Sequence, residues 1–109
     1  MSELRSRVLE ALLESLKLTQ ELSGRNAPEI HEDTTPFLDL DKFDSHNGVE
    51  VEILLSERLG VEIDAIPFHE GRRGSRELRV GEIVDSLIKK YGRKILAAQE
   101  ARQAVMVTP

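Results

Sequence analysis

The chain has 109 residues, enough for one domain with a modest core but too few for two. Its formal net charge of -5 argues against a nucleic-acid or anionic-membrane partner and favours basic partners. The absence of cysteine excludes disulfides, thiolate metal sites and cysteine nucleophiles.

The N-terminal segment begins without a long apolar run, so we expect neither a signal peptide nor a transmembrane span, and a cytoplasmic protein. Apolar residues then recur at helical spacing, at Leu4, Val8, Leu9, Leu12, Leu13 and Leu16. This pattern predicts a helix from about Glu3 to Leu22 with Ser2 as its N-cap. Residues 23–28 indicate a helix end and a loop.

Pro36 disfavours a helix before Phe37, because proline restricts the residue that precedes it. We therefore expect an ordered loop from Phe37 to Ser45. Four apolar side chains are predicted to pin it to the core, namely Phe37, Leu38, Leu40 and Phe43.

Residues 45–60 predict a second long helix with two apolar faces. At about 100° per residue, the predicted core face comprises Val51, Leu54, Leu55 and Leu59. A nearly opposite line, which we call the outward stripe, comprises His46, Val49 and Ile53. Carboxylates border this stripe, with Glu52 on one edge and Glu50 and Glu57 on the other. A helix that needed only solubility would not place branched apolar residues there, so the stripe is predicted to dock a partner.

After Gly60 the sequence predicts an extended piece at residues 61–63 and a loop or short helix from Asp64 to Arg79. A third long amphipathic helix follows, with apolar residues at Val80, Ile83, Val84, Leu87, Ile88 and Tyr91. Gly92 is predicted to cap its end. Residues 93–103 are compatible with a further helix, docked weakly through Ile95 and Leu96, and residues 105–109 with a tail.

Three long helices and one short helix or irregular segment predict an all-α, small up-and-down helical bundle. We expect this bundle over residues 1–92 and a C-terminal helical extension with a tail over residues 93–109.

The stretch from Asp44 to Ile63 resembles, without a gap, the Asp-Ser-Leu-centred helix of acyl carrier proteins. A looser resemblance extends from about Leu4 to Tyr91. The closest correspondence lies in Asp44-Ser45, Val49-Glu50, Leu54-Leu55, Leu59-Gly60 and Val61-Glu62-Ile63.

In that family the serine carries 4′-phosphopantetheine from coenzyme A, so the resemblance implies that Ser45 is the attachment site. Asp44 would help to hold the metal of the transferase complex. A helix N-terminus suits the resulting phosphodiester, because its free N–H groups and its dipole favour an anion. The thiol of the attached arm would hold an acyl or aminoacyl intermediate as a thioester.

The resemblance also implies the partners. These are a phosphopantetheinyl transferase and the acyl-loading and condensing enzymes of fatty acid or polyketide biosynthesis. They would dock on His46, Val49, Glu50, Glu52, Ile53 and Glu57. The carrier would be a monomer that catalyses nothing, and the cargo would be sheltered among Val51, Leu55, Ile63, Ile83 and Leu87.

The sequence departs from the family at three places. His46 stands where leucine or methionine is usual, and residues 41–43 replace a shorter glycine-containing turn. Gly48 lies inside the predicted helix, at a cost of about 1 kcal/mol relative to alanine. These departures indicate a specialised carrier in place of the housekeeping fatty-acid one.

Two other interpretations of this region remain. An unmodified carrier-like interaction module would use Val49 and Ile53 to bind a basic protein. A small hydrolase with Ser45 as nucleophile is disfavoured, because no His–Asp pair or glycine elbow accompanies the serine.

The remaining polar features are weaker signals. The three histidines are scattered, so we expect no metal site. A basic cluster, offset only by Glu77, is either a solvated loop or a phosphate- or partner-binding site; it comprises Arg72, Arg73, Arg76 and Arg79.

Overall fold

The computed structural model describes residues 2–25, 29–71 and 76–107, which form a small helical bundle. In chain order the elements are α1 (Ser2–Leu22), α2 (Pro36–Asp39), α3 (Ser45–Leu59), β1 (His69–Glu70), β2 (Arg76–Glu77) and α4 (Val80–Val107). Helix α1 packs against both α3 and α4. The predicted all-α bundle of three long helices is confirmed. None of the helices described is both long and apolar enough to cross a membrane.

The core lies where the inner faces of the three long helices meet. It is built from the predicted apolar positions, including Val8, Leu12 and Leu16 of α1, Val51, Leu55 and Leu59 of α3, and Ile83, Val84 and Leu87 of α4. Leu54 is only half-buried, so the predicted core face of α3 is narrower than expected. Because burial of such side chains is the main favourable term in folding, these positions hold the bundle together.

The segment before α3 differs from its prediction. A short helix, α2, begins at Pro36, where a loop was expected. Proline suits the first turn of a helix, because the N–H that it lacks would have no partner there. Leu40 and Phe43 are buried, but Leu38 is 68% exposed and does not pin the segment.

Between α3 and α4 the chain forms a small antiparallel ladder. His69 pairs with Glu77 and Glu70 pairs with Arg76. The side chains of Ile63, Ile66 and Phe68 anchor the preceding segment in the core. The segment predicted as a loop or short helix is therefore an extended chain with two short strands in its described part.

Helix α4 runs without a break through Gly92 to Val107, so the predicted helix end at Gly92 is wrong. The helix continues because Ile95, one turn after Tyr91, is fully buried and extends the core face. Leu96 is exposed, so only Ile95 of the predicted docking pair reaches the core. Residues 105–107, predicted as tail, belong to the helix, and residues 108 and 109 lie outside the described chain.

Candidate functional site

Ser45 is the first residue of α3 and its side chain is exposed. Asp44 precedes it as the N-cap, in extended conformation, and one Asp44 carboxylate oxygen accepts a hydrogen bond of 3.2 Å from the backbone N–H of Asn47. In return, Oδ1 of Asn47 accepts a hydrogen bond of 3.2 Å from the backbone N–H of Asp44. This capping box satisfies two of the four N–H groups that an α-helix leaves without a partner inside the helix, and those of Ser45 and His46 remain.

Asn47 is almost fully buried and connects the head of α3 to the end of α1. Its Oδ1 also accepts a hydrogen bond of 2.7 Å from Nη1 of Arg25, which follows α1. Its Nδ2 donates to Glu50 Oε1 at 2.9 Å. Asn47 therefore fixes Asp44, Glu50 and the start of the helix together, and Arg25 fixes Asn47.

The loop before Ser45 is held from the same side. Arg25 donates to the carbonyl oxygen of Lys42 at 2.8 Å, and Gln20 Nε2 donates to that of Asp41 at 2.9 Å. Lys42 has a φ of 55°, in the left-handed region that a residue with a Cβ adopts only when its surroundings impose it. The end of α1 thus determines where the chain enters α3.

Apart from Leu54, the two faces of α3 have the predicted orientations. Val51, Leu55 and Leu59 are buried, whereas Val49 is 52% and Ile53 is 57% exposed. His46 is also exposed. At the edges, Glu50 and Glu52 are half-buried and Glu57 is exposed, so the outward stripe is bordered by carboxylates as expected.

A cleft of about 370 Å³ opens beside Ser45. Its lining comes from α2, from the first half of α3, from the segment before β1 and from the first residue of β1. It comprises Phe37, Ser45, Gly48, Val49, Glu52, Ile66, Pro67, Phe68 and His69. The ring of Phe37 lies 5.4 Å from that of Phe68 and 4.4 Å from that of His69, measured between centroids. Such tilted and edge contacts are favourable for aromatic pairs. The cleft is therefore mainly apolar, and part of its wall is aromatic.

The position of Phe68 explains the glycine inside α3. A Cβ on Gly48 would lie 3.2 Å from Cε2 of Phe68, closer than ordinary van der Waals contact. Gly48 thus allows the ring of Phe68 to approach the helix backbone. Close packing of Phe68 offsets the helix propensity that glycine loses.

Glu52 is the charged group on the α3 side of the cleft. Partial burial raises the pKa of its carboxyl above the ordinary value; a backbone hydrogen bond from Ile66 opposes this rise and the negative charge of Asp64 adds to it. The carboxylate is therefore partly removed from water at an apolar surface.

The structure brings only part of the predicted set to one place. Ser45, Val49 and Glu52 meet at the cleft, while His46, Ile53 and Glu57 are not among its lining residues. The residues expected to shelter cargo belong to the packed core instead and line neither this cleft nor the larger one between α1 and α3; they are Val51, Leu55, Ile63, Ile83 and Leu87.

Several contributors to the site were not predicted, among them Arg25, Phe37, Asn47, Phe68 and His69. Asn47 carries a usable signal, since it follows the Asp44 N-cap at the spacing of a capping box. The other four are distant from Ser45 in sequence, and no periodic pattern marks them.

Arg76 and Arg79 of the basic cluster lie beside carboxylates other than that of Glu77. Arg76 pairs with both Glu70 and Glu82, and Arg79 lies 3.5 Å from Glu82. The interpretation that only Glu77 offsets this cluster is therefore wrong. Arg72 and Arg73 lie outside the described residues. Within the described ranges, no three His, Asp or Glu side chains are arranged to hold a metal ion.

No family model, curated protein or solved structure matches this chain.

Proposed function

We propose that this chain is an acyl carrier protein that carries 4′-phosphopantetheine on Ser45. The observation that supports this most is the position of the Ser45 hydroxyl. It is exposed at the first residue of a long helix, on the rim of an apolar cleft and at the head of the outward stripe. A transferase needs a reachable hydroxyl in a rigid setting, and the capping box with Arg25 provides that setting.

The residues around Ser45 suit such a group. The N–H groups of Ser45 and His46, with the positive end of the α3 dipole, favour a phosphodiester on Ser45. Gly48 lets the ring of Phe68 form a wall of the cleft close to the helix backbone, and Val49 and Phe37 offer apolar surface to the arm. The attached group supplies a thiol that holds an acyl or aminoacyl intermediate as a thioester. Asp44 is exposed while it caps the helix, so its carboxylate is reachable by the metal of a transferase complex.

The proposal includes the partners and the setting. A phosphopantetheinyl transferase and the acyl-loading and condensing enzymes would dock on the outward stripe, through Val49 and Ile53. The carboxylates of Glu50, Glu52 and Glu57 would steer a basic surface toward it. The protein would act in the cytoplasm as a monomer, without nucleic-acid or membrane partners, and would catalyse no reaction itself.

The test is covalent modification in vitro. The protein is incubated with coenzyme A, magnesium and a broad-specificity phosphopantetheinyl transferase, and its intact mass is measured. We expect the mass of one phosphopantetheinyl group to be added to the wild type and to Ser6→Ala, whose serine is exposed on α1. Ser45→Ala should gain nothing.

A mass gain that persists in Ser45→Ala would place the modification elsewhere. No gain with several transferases would favour the second candidate, an unmodified interaction module. The exposure of Val49 and Ile53 favours that candidate independently of any modification, because both side chains are available to a basic protein in either case.

A further inference from the structure

The cleft beside Ser45 contains one carboxylate among apolar and aromatic groups. Of its described lining residues, Glu52 alone carries a negative charge, and apart from Ser45 and His69 the others are apolar. The residues expected to shelter cargo are packed in the core. The cleft, by contrast, offers apolar space next to Ser45.

Glu52 has no cationic partner among the described residues. In the described part of the chain, the arginines that form salt bridges pair with other carboxylates. Arg5 pairs with Glu32 and Asp85, Arg58 with Glu14, and Arg76 and Arg79 with Glu82. Among the described residues, the backbone N–H of Ile66 is the hydrogen-bonding group that lowers the pKa of the Glu52 carboxyl. A half-buried carboxylate beside aromatic rings attracts an ammonium group through its charge, and the rings add cation–π attraction.

On the basis of the proposed function, we propose that this cleft binds the amino end of the carried group, which is therefore an aminoacyl group with an apolar or aromatic side chain. The ammonium contacts the carboxylate of Glu52. The side chain packs against the rings of Phe37 and Phe68. A simple fatty acyl group would leave Glu52 beside hydrocarbon with no compensating charge, which disfavours it.

Attachment at Ser45 makes weak binding sufficient. Ser45 forms part of the rim, so a group tethered there is confined close to the cleft. Short flexible tethers produce effective concentrations in the millimolar range. A dissociation constant of about 1 mM for the free amine would therefore fill the cleft in much of the loaded protein.

The first experiment uses the unmodified protein, so it does not depend on Ser45 chemistry. Phenethylamine and its neutral analogue 2-phenylethanol are titrated while the NMR signals of Gly48, Phe37 and Phe68 are followed. We expect the amine to bind with a dissociation constant of about 1 mM and the alcohol about tenfold more weakly, the ratio for one charge-assisted hydrogen bond.

Two variants locate the charge that recognises the amine. Glu52→Gln retains an acceptor for Ile66 and should bind amine and alcohol equally. Glu62→Gln removes an exposed carboxylate that does not line the cleft, and should keep the wild-type preference. Equal affinity of the wild type for both probes, or a preference that survives in Glu52→Gln, would overturn the proposal.

The second experiment tests the tethered group. The transferase loads Ser45 from phenylalanyl-coenzyme A or from 3-phenylpropionyl-coenzyme A, which differ by one amino group. We expect shifts at Gly48 and Phe68 with the first and at least fivefold smaller shifts with the second. Loading without this difference would overturn the inference and leave the proposed function intact. Failure to load either would overturn both, even if the free amine binds.

Discussion

The two faces of α3 carry similar apolar side chains that differ in burial. Val51 and Leu55 are fully buried against α1 and α4, while Val49 and Ile53 are more than half exposed. Full burial of such a side chain contributes about 1.5–3 kcal/mol, which the outward pair does not add to folding. One helix thus has the side chains that stabilise the fold on its inner face and leaves apolar side chains exposed on its outer face.

The head of α3 joins these two faces. Asn47 is buried, yet its polar bonds determine the position of exposed Asp44 and Ser45. Polar groups inside a core are tolerated when their hydrogen bonds are satisfied, and here they hold the backbone at the exposed start of the helix. Replacements along α3 can therefore test the inner face, the head of the helix and the outward stripe separately.

The largest expected effect is on the inner face. Leu55→Ala should lower the free energy of unfolding by about 2–5 kcal/mol, because a fully buried side chain leaves a cavity. Val49→Ala, on the outward stripe, should change it by less than about 0.5 kcal/mol. Urea unfolding of both variants measures the difference. Equal, large losses would mean that both faces contribute to the core.

The next effect concerns the head of α3, where Asn47 bonds to Asp44. Asn47→Ala should lower the free energy of unfolding by about 1–3 kcal/mol, because it removes the acceptor of the Asp44 backbone N–H and leaves the Arg25 guanidinium without its acceptor on α3. It should also speed amide exchange at Asp44, whose backbone N–H donates to Asn47 Oδ1 in the wild type. The exposed neighbour serves as the control, since His46→Ala should change stability by less than about 0.5 kcal/mol. Unchanged stability in Asn47→Ala would show that the network does not hold the helix start.

A smaller effect is expected at the edges of the outward stripe. The double variant Glu50→Gln and Glu57→Gln should slow association with the transferase several-fold and change dissociation less, because distant charges act mainly on the encounter. The difference should fade as ionic strength rises. Stopped-flow association at two salt concentrations measures this, and a salt-independent loss would indicate packing instead of steering.

The smallest effect concerns Glu52 and pH. The pKa of the Glu52 carboxyl is raised in the folded state, so ionisation of this group opposes folding. The protonated carboxyl makes its full contribution to the free energy of unfolding below the unfolded-state pKa. This contribution is lost as the pH rises through the folded-state pKa. Glu52→Gln should therefore melt at a slightly higher temperature than the wild type at pH 7, and at an equal temperature at pH 3. An equal gain at both pH values would indicate that shape, and not charge, causes it.

Much of the bundle follows from local patterns. Apolar spacing predicts α1 and both faces of α3, because in a helix sequence distance determines which residues share a face. The N-terminus of α3 likewise follows from neighbouring residues, namely Asp44, Ser45 and Asn47. The end of α4 does not follow from local sequence. Gly92 is a good capping residue, but burial of Ile95 three residues later outweighs this preference.

The sequence by itself therefore determined the three long helices, the exposed position of Ser45 and the outward stripe, all of which depend on neighbours within a few residues. Only the tertiary structure decided the cleft and the support of Ser45. Arg25 meets Asn47 across 22 positions, and the rings of Phe37 and Phe68 meet although they belong to different segments. Such contacts depend on how whole elements pack, which local periodicity does not specify.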